Sequence, residues 1–142
     1  MVRVLVVFAL LLSTALIALA QSPGTKAIPP IHFKPGMRTA VVEGTVGPPV
    51  TVGPDMTNDG FEQYTLRVPA AQNVTMEISS DNHHALFSLT KPSPAMVKYE
   101  TVERAGGVQR WSGRLAKPGN YLIMVFTRER AVSRFTLRVT LR

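Results

Sequence analysis

The sequence predicts an all-β protein: a single antiparallel β-sandwich, jelly-roll-like and of about eight strands, following an N-terminal signal peptide. Three observations carry this expectation. From Arg38 onward, short runs rich in β-branched and aromatic residues are separated by turn clusters at spacings of about 8 to 14 residues. Several of those runs alternate apolar and polar residues, the period of a strand with one buried face. Beyond the first twenty residues, no stretch long enough for a stable helix shows a 3.6-residue period.

In chain order, the first element is Arg3, an unbroken apolar run from Val4 to Leu12, a mostly apolar stretch to Ala20, and Ala18-Leu19-Ala20 just before Gln21. A charged start, an apolar core and a small-x-small cleavage site read as a signal peptide over residues 1–20, so the chain is expected to be exported, to the periplasm or beyond the cell. The competing reading is a retained membrane anchor. The apolar stretch is at the lower limit for crossing a bilayer, and its alanine pair suits signal peptidase better. No cysteine follows it to carry a lipid. Cleavage leaves about 120 residues, enough for one domain with its own core, and no remaining segment is apolar for long enough to span a membrane. Residues 21–31, made largely of Ser, Pro, Gly, Thr and Lys and closed by Pro29-Pro30, read as a flexible leader. Residues 32–142 form the expected sandwich.

Strands are expected near Arg38–Val46, Phe61–Val68, Asn73–Ser79, Ala85–Thr90, Met96–Thr101, Val108–Leu115, Tyr121–Thr127 and Val132–Leu141. Turn signals separate them at Pro69-Ala70-Ala71, Ser80-Asp81-Asn82, Lys91-Pro92-Ser93-Pro94, Ala105-Gly106-Gly107 and Lys117-Pro118-Gly119-Asn120. The last strand is the clearest, with Phe135, Leu137, Val139 and Leu141 alternating with Arg134, Thr136, Arg138, Thr140 and Arg142. Its polar face therefore carries an arginine stripe. Tyr121 to Phe126 is apolar at every position, which marks a central strand covered on both sides or closed by a neighbour. The longest irregular stretch is Gly47–Gly60, a length that on a compact domain belongs to a functional or loosely ordered loop.

Charge is spread unevenly. Residues 21–100 carry six Lys/Arg against seven Asp/Glu, whereas residues 101–142 carry nine against two. Such asymmetry suggests an anionic partner met through one face, a protein or an anionic glycan. Nucleic acid is a poor candidate, because export removes it and no aromatic-and-basic recognition motif is present. With no cysteine, thiol catalysis, thiolate metal sites and redox chemistry are excluded.

Other chemistry is thinly represented, and neither a cofactor nor an enzymatic activity is expected. His83 and His84 follow Asp81 and Asn82 at a turn; within a strand they would point to opposite faces and could not share a metal. There is no Gly-x-Ser-x-Gly elbow, and the carboxylates Glu43, Glu62, Glu77 and Glu100 lie in no distinctive motif. Asp55, Asn58 and Asp59 offer oxygen ligands, but their spacing is not that of a helix–loop–helix calcium loop and turn formation accounts for them. What remains is a recognition surface. Thr127-Arg128-Glu129-Arg130-Ala131 joins the last two strands and presents two guanidinium groups near Arg134 and Arg138. Arginine forks bind carboxylates bidentately, so such a hairpin suits an acidic cleft.

These segments together carry a resemblance. Phe33-Lys34-Pro35-Gly36, Gly44, Tyr64-Thr65-Leu66, Ala71-Gln72-Asn73-Val74, Pro118-Gly119-Asn120-Tyr121-Leu122, Val125, Thr127-Arg128 and the alternating run Phe135-Thr136-Leu137-Arg138-Val139 resemble the periplasmic inhibitors of goose-type lysozyme. More broadly they resemble bacterial pre-peptidase C-terminal domains of the same β-sandwich fold. The resemblance to the inhibitors implies a non-catalytic periplasmic protein that engages lysozyme through arginines and a tyrosine, falling here on Arg128 and Tyr64. The family's second arginine, four residues after the first, falls on Val132, with Arg130 and Arg134 as the nearest replacements. The broader resemblance implies a module that binds a glycan or an envelope protein.

Overall fold

The protein is described here by a computed structural model covering residues 27–48, 50–51, 57–58, 60–93, 100–128 and 130–142. The expected signal peptide, most of the expected leader, Asp55, Asp59, Glu129 and most of the expected strand Met96–Thr101 lie outside the described residues.

Among the described residues nine strands follow in order: β1 (Thr39–Val46), β2 (Val50–Thr51), β3 (Thr57–Asn58), β4 (Glu62–Val68), β5 (Gln72–Ser80), β6 (Ala85–Thr90), β7 (Arg110–Leu115), β8 (Gly119–Thr127) and β9 (Ser133–Leu141). Seven of them build two antiparallel sheets, one ordered β1-β9-β5-β7 and the other β4-β8-β6. The chain is thus an all-β sandwich. The strand expected near Ala85–Thr90 is observed with those limits, and six of the others are observed with ends shifted by one or two residues. Within the stretch expected to be irregular, Gly47–Gly60, β2 and β3 pair over two residues each, a small separate ladder. Thr101, from the expected Met96–Thr101 strand, makes an isolated bridge with Thr90.

Alternation decides which side chains meet. In β9, Phe135, Leu137 and Val139 point inward and are buried, while Arg134 and Arg138 stand exposed. The inward residues of β4, β5, β6 and β8, among them Leu66, Met76, Phe87 and Ile123, close the core from both sheets. Burying each such side chain is worth about 1.5–3 kcal/mol. The outer face of the four-stranded sheet is polar and arranged in rows. One row runs Val41, Arg138, Glu77, Arg110, and there Arg110 Nη2 lies 2.6 Å from Glu77 Oε1.

The all-apolar run from Tyr121 to Phe126 belongs to β8, the central strand of the three-stranded sheet, and its outward residues Leu122, Met124 and Phe126 are half-buried. The free side of β6 is occupied by the segment 100–108: Phe87 and Val108 exchange backbone hydrogen bonds, and Leu89 N donates to Ala105 O at 2.9 Å. The free side of β4 is met by residues 29–31, where Ile31 N donates to Thr65 O at 2.8 Å and Thr65 N to Pro29 O at 3.0 Å. Both edges of this sheet are thereby shielded from pairing with another chain. Buried Ile31 also brings the end of the expected leader into the core.

Candidate functional site

One end of the sandwich gathers the close of β1, the start of β4, the β5–β6 turn and the β8–β9 hairpin. The hairpin loop, residues 128–132, leaves β8 after Thr127 and enters β9 at Ser133. Arg128 and Arg130 are exposed on it, and Val132 is 64% exposed. A loop of this kind is free to fray unless something holds its legs. Here both legs are tied to one turn, residues 81–84.

Arg128 N donates to His84 O at 3.2 Å on the first leg, and Asp81 N donates to Arg134 O at 3.3 Å on the second. Between them sits Asn82. Its Nδ2 donates to Val132 O at 3.1 Å, and its Oδ1 accepts from Ser133 Oγ at 2.8 Å and from His84 N at 3.2 Å. Ser133 is fully buried, so its hydroxyl has no access to water in place of Asn82. The turn itself is held by His83 in the left-handed region (φ 60°), with His83 N donating to Ser80 O and Gln109 Nε2 donating to His83 O at 2.7 Å. The two histidines therefore sit in the turn and not in β6. Among the described residues, no group of three or more His, Asp or Glu is placed to hold a metal ion.

Arg134 lies beside the hairpin but on a different surface. It points from β9 to the outer face of the four-stranded sheet, opposite Thr45, and lines a shallow cavity of about 590 Å³ with Glu43, Ser79, Asp81 and Thr136. Arg128 and Arg130, by contrast, are exposed on the hairpin loop itself.

Tyr64 is placed differently again. It belongs to β4 in the other sheet, paired with Ile123, and its ring meets Phe135 edge-on, with centroids 6.5 Å apart and planes at 72°. Gly44 of β1 makes room for this pair: a Cβ there would lie 2.7 Å from Phe135 Cζ and 3.3 Å from the Tyr64 hydroxyl. Burial pushes the Tyr64 phenol pKa up, and the nearby Glu62 carboxylate pushes it further in the same direction. Of the four candidates, then, Arg128 and Arg130 share the hairpin and Arg134 adjoins it. Tyr64 reaches this end of the molecule through Phe135, the residue after Arg134.

Asn82 and Ser133 were not candidates on sequence. Ser80-Asp81-Asn82 carries a turn signal, but its partners lie some fifty residues away, and no local pattern announces them.

No family model matches the sequence, and no curated protein matches it. Solved structures do. The chain is similar to Aeromonas hydrophila PliG, a periplasmic lysozyme inhibitor of g-type lysozyme, with a TM-score of 0.64 at 23% identity over 81% of this chain and 96% of that one. It is similar to Salmonella Typhimurium PliG with a TM-score of 0.52 at 15% identity over 80% and 96%. It is also similar to the pre-peptidase C-terminal domain of a collagenase from Bacillus anthracis, with a TM-score of 0.55 at 18% identity over 84% and 100%. At these identities the likeness establishes a shared β-sandwich fold.

Proposed function

We propose that the chain is a periplasmic protein that acts by binding another protein without catalysis, and that its partner is a goose-type lysozyme. In this reading Arg128 and Arg130 enter the partner's acidic cleft while Arg134 supports them from the flank. The observation that carries the reading is a projecting arginine loop held at both legs by Asn82, His84 and Asp81, on a fold shared with two PliG inhibitors. Glycosidases of this kind use a catalytic carboxylic acid, and a guanidinium presented there would pair with the acid while excluding substrate. A loop already fixed before binding loses less entropy when it docks. Tyr64, packed behind Arg134 through Phe135, contributes by fixing how β4 packs against β1 and β9 at this end.

The test is lysis of bacterial cell walls by goose-type, chicken-type and invertebrate-type lysozymes, with and without the purified protein. Selective loss of goose-type activity supports the reading, and Arg128→Ala is then expected to weaken inhibition by about tenfold or more, the scale of a charge-assisted contact. Unchanged inhibition by that variant removes the hairpin from the site. A second reading, a module that binds a glycan or an envelope protein, is favoured by the collagenase-domain likeness and by exposed Val132 where the inhibitors' second arginine would fall. Absence of inhibition of all three lysozymes removes the lysozyme reading and moves the test to binding of glycans and envelope proteins.

A further inference from the structure

The end of the sandwich opposite the hairpin has a different character. Lys34-Pro35-Gly36-Met37 forms a tight turn in which Met37 N donates to Lys34 O at 2.9 Å. Gly36 takes φ 76°, the left-handed value a type II turn requires at its third position, and Pro35 pre-sets the second. The turn is therefore rigid, and it projects Met37 with 58% of its surface exposed. Lys34 and Arg38 stand exposed on either side of it.

Beside this turn a cavity of about 500 Å³ opens between the ends of the two sheets, with Phe33, Pro69 and Leu141 as its apolar part and Arg38 and Arg67 as its charged part. Among the described residues, no acidic side chain lines it. Arg142, next to Leu141, adds a fourth exposed cation. The carboxylates described near this end, Glu100 and Glu103, line a separate cavity with Lys91, Arg114 and Lys117, and Glu100 is 2.5 Å from Lys91 Nζ.

We propose that this end is a docking surface for a bilayer carrying anionic phospholipid, with Met37 entering the interface and Arg38 and Arg67 receiving a headgroup phosphate above the apolar cleft. Cations around an exposed apolar tip match a surface that is anionic outside and apolar just beneath. A hydrated polyanion such as a nucleic acid or a soluble polysaccharide would satisfy the arginines but leave Met37 without a partner. The guanidinium fork suits phosphate oxygens, and Phe33 and Leu141 suit the start of an acyl chain. Docked this way, the protein would hold its hairpin end away from the membrane.

Co-sedimentation with phosphatidylcholine vesicles, with and without about one third phosphatidylglycerol, tests this on protein confirmed by mass spectrometry to lack residues 1–20, so that their apolar run makes no contribution. Binding is expected only with phosphatidylglycerol, and to weaken as salt rises. Arg38→Ala and Arg67→Ala should each lower it about fivefold, the effect of one cation near an anionic surface. Met37→Ala should lower it severalfold, and Arg128→Ala should leave it unchanged. These side chains are exposed, and an unaltered unfolding midpoint shows that each variant folds; should Arg67→Ala fail that check, Lys34→Ala and Arg142→Ala serve instead. Equal binding to both vesicle types, no binding to either, or full binding by the folded variants would overturn the proposal. So would binding of monomeric octyl phosphate that is as tight as binding to vesicles, because a free anion site needs no bilayer.

Discussion

Asn82→Ala isolates the link on which the hairpin's geometry depends. Three hydrogen bonds are lost: to Val132 O, from Ser133 Oγ and from His84 N. They are not equivalent. Water can reach the exposed turn and replace the contacts to Val132 O and His84 N, leaving each a net loss of at most about 1 kcal/mol. The Ser133 hydroxyl is fully buried, and leaving it without a partner costs about 1–3 kcal/mol. The total is about 1–5 kcal/mol, most of it from one pair. Ser133→Ala should therefore cost little once Asn82 is already alanine, because the orphaned hydroxyl is gone. A double-mutant cycle measured by urea unfolding should show coupling of about 1–2 kcal/mol between the two positions. Asn82→Asp, which keeps the acceptor for Ser133 but loses the donor to Val132 O, should fall between wild type and alanine. Strictly additive single and double variants would refute the reasoning, since they would mean that the two side chains do not depend on each other. Under the proposed function, Asn82→Ala should also lower inhibition at temperatures where the protein remains folded, because the loop is then ordered only on binding.

Other outcomes follow from neighbouring features. Gly44→Ala places a methyl within 2.7 Å of Phe135 Cζ, so the Tyr64–Phe135 pair must shift; a loss of about 1–3 kcal/mol is expected in thermal or urea unfolding, accompanied by a change in the near-ultraviolet tyrosine signal. Tyr64 should ionise above the ordinary tyrosine range in a spectrophotometric titration, since burial and Glu62 favour its neutral form. With the folded pKa raised above the unfolded one, its contribution to stability is fully present below the ordinary tyrosine pKa and is lost as pH rises towards the folded value. Tyr64→Phe should remove that alkaline loss. Charge reversal at Arg130, exposed on the hairpin, should leave the unfolding midpoint nearly unchanged while weakening lysozyme inhibition and its salt dependence.

The strands were legible in the sequence because their signal is local. A pleated backbone turns every second side chain the same way, so the alternation of Phe135, Leu137 and Val139 with Arg134, Thr136 and Arg138 predicts β9 and both of its faces without reference to any other strand. The unbroken apolar run at Tyr121–Phe126 likewise implied a central strand, and β8 lies between β4 and β6. The hairpin arginines were visible for the same reason, as a polar insert between two periodic segments.

Pairing and proximity are another matter. Nothing in the sequence says that β9 inserts between β1 and β5, that Tyr64 meets Phe135 across the sandwich, or that Asn82 secures Ser133 from the other side of the chain. Nor does the C-terminal excess of positive charge reveal that Lys34, Arg38, Arg67 and Arg142 share one end with Met37, since three of those cations come from the segment whose charges nearly cancel. Secondary structure is written in the period of neighbouring side chains. Which strands become neighbours, and hence which charges and hydrogen-bonding groups converge, is decided only when the apolar faces of distant segments bury one another in a common core.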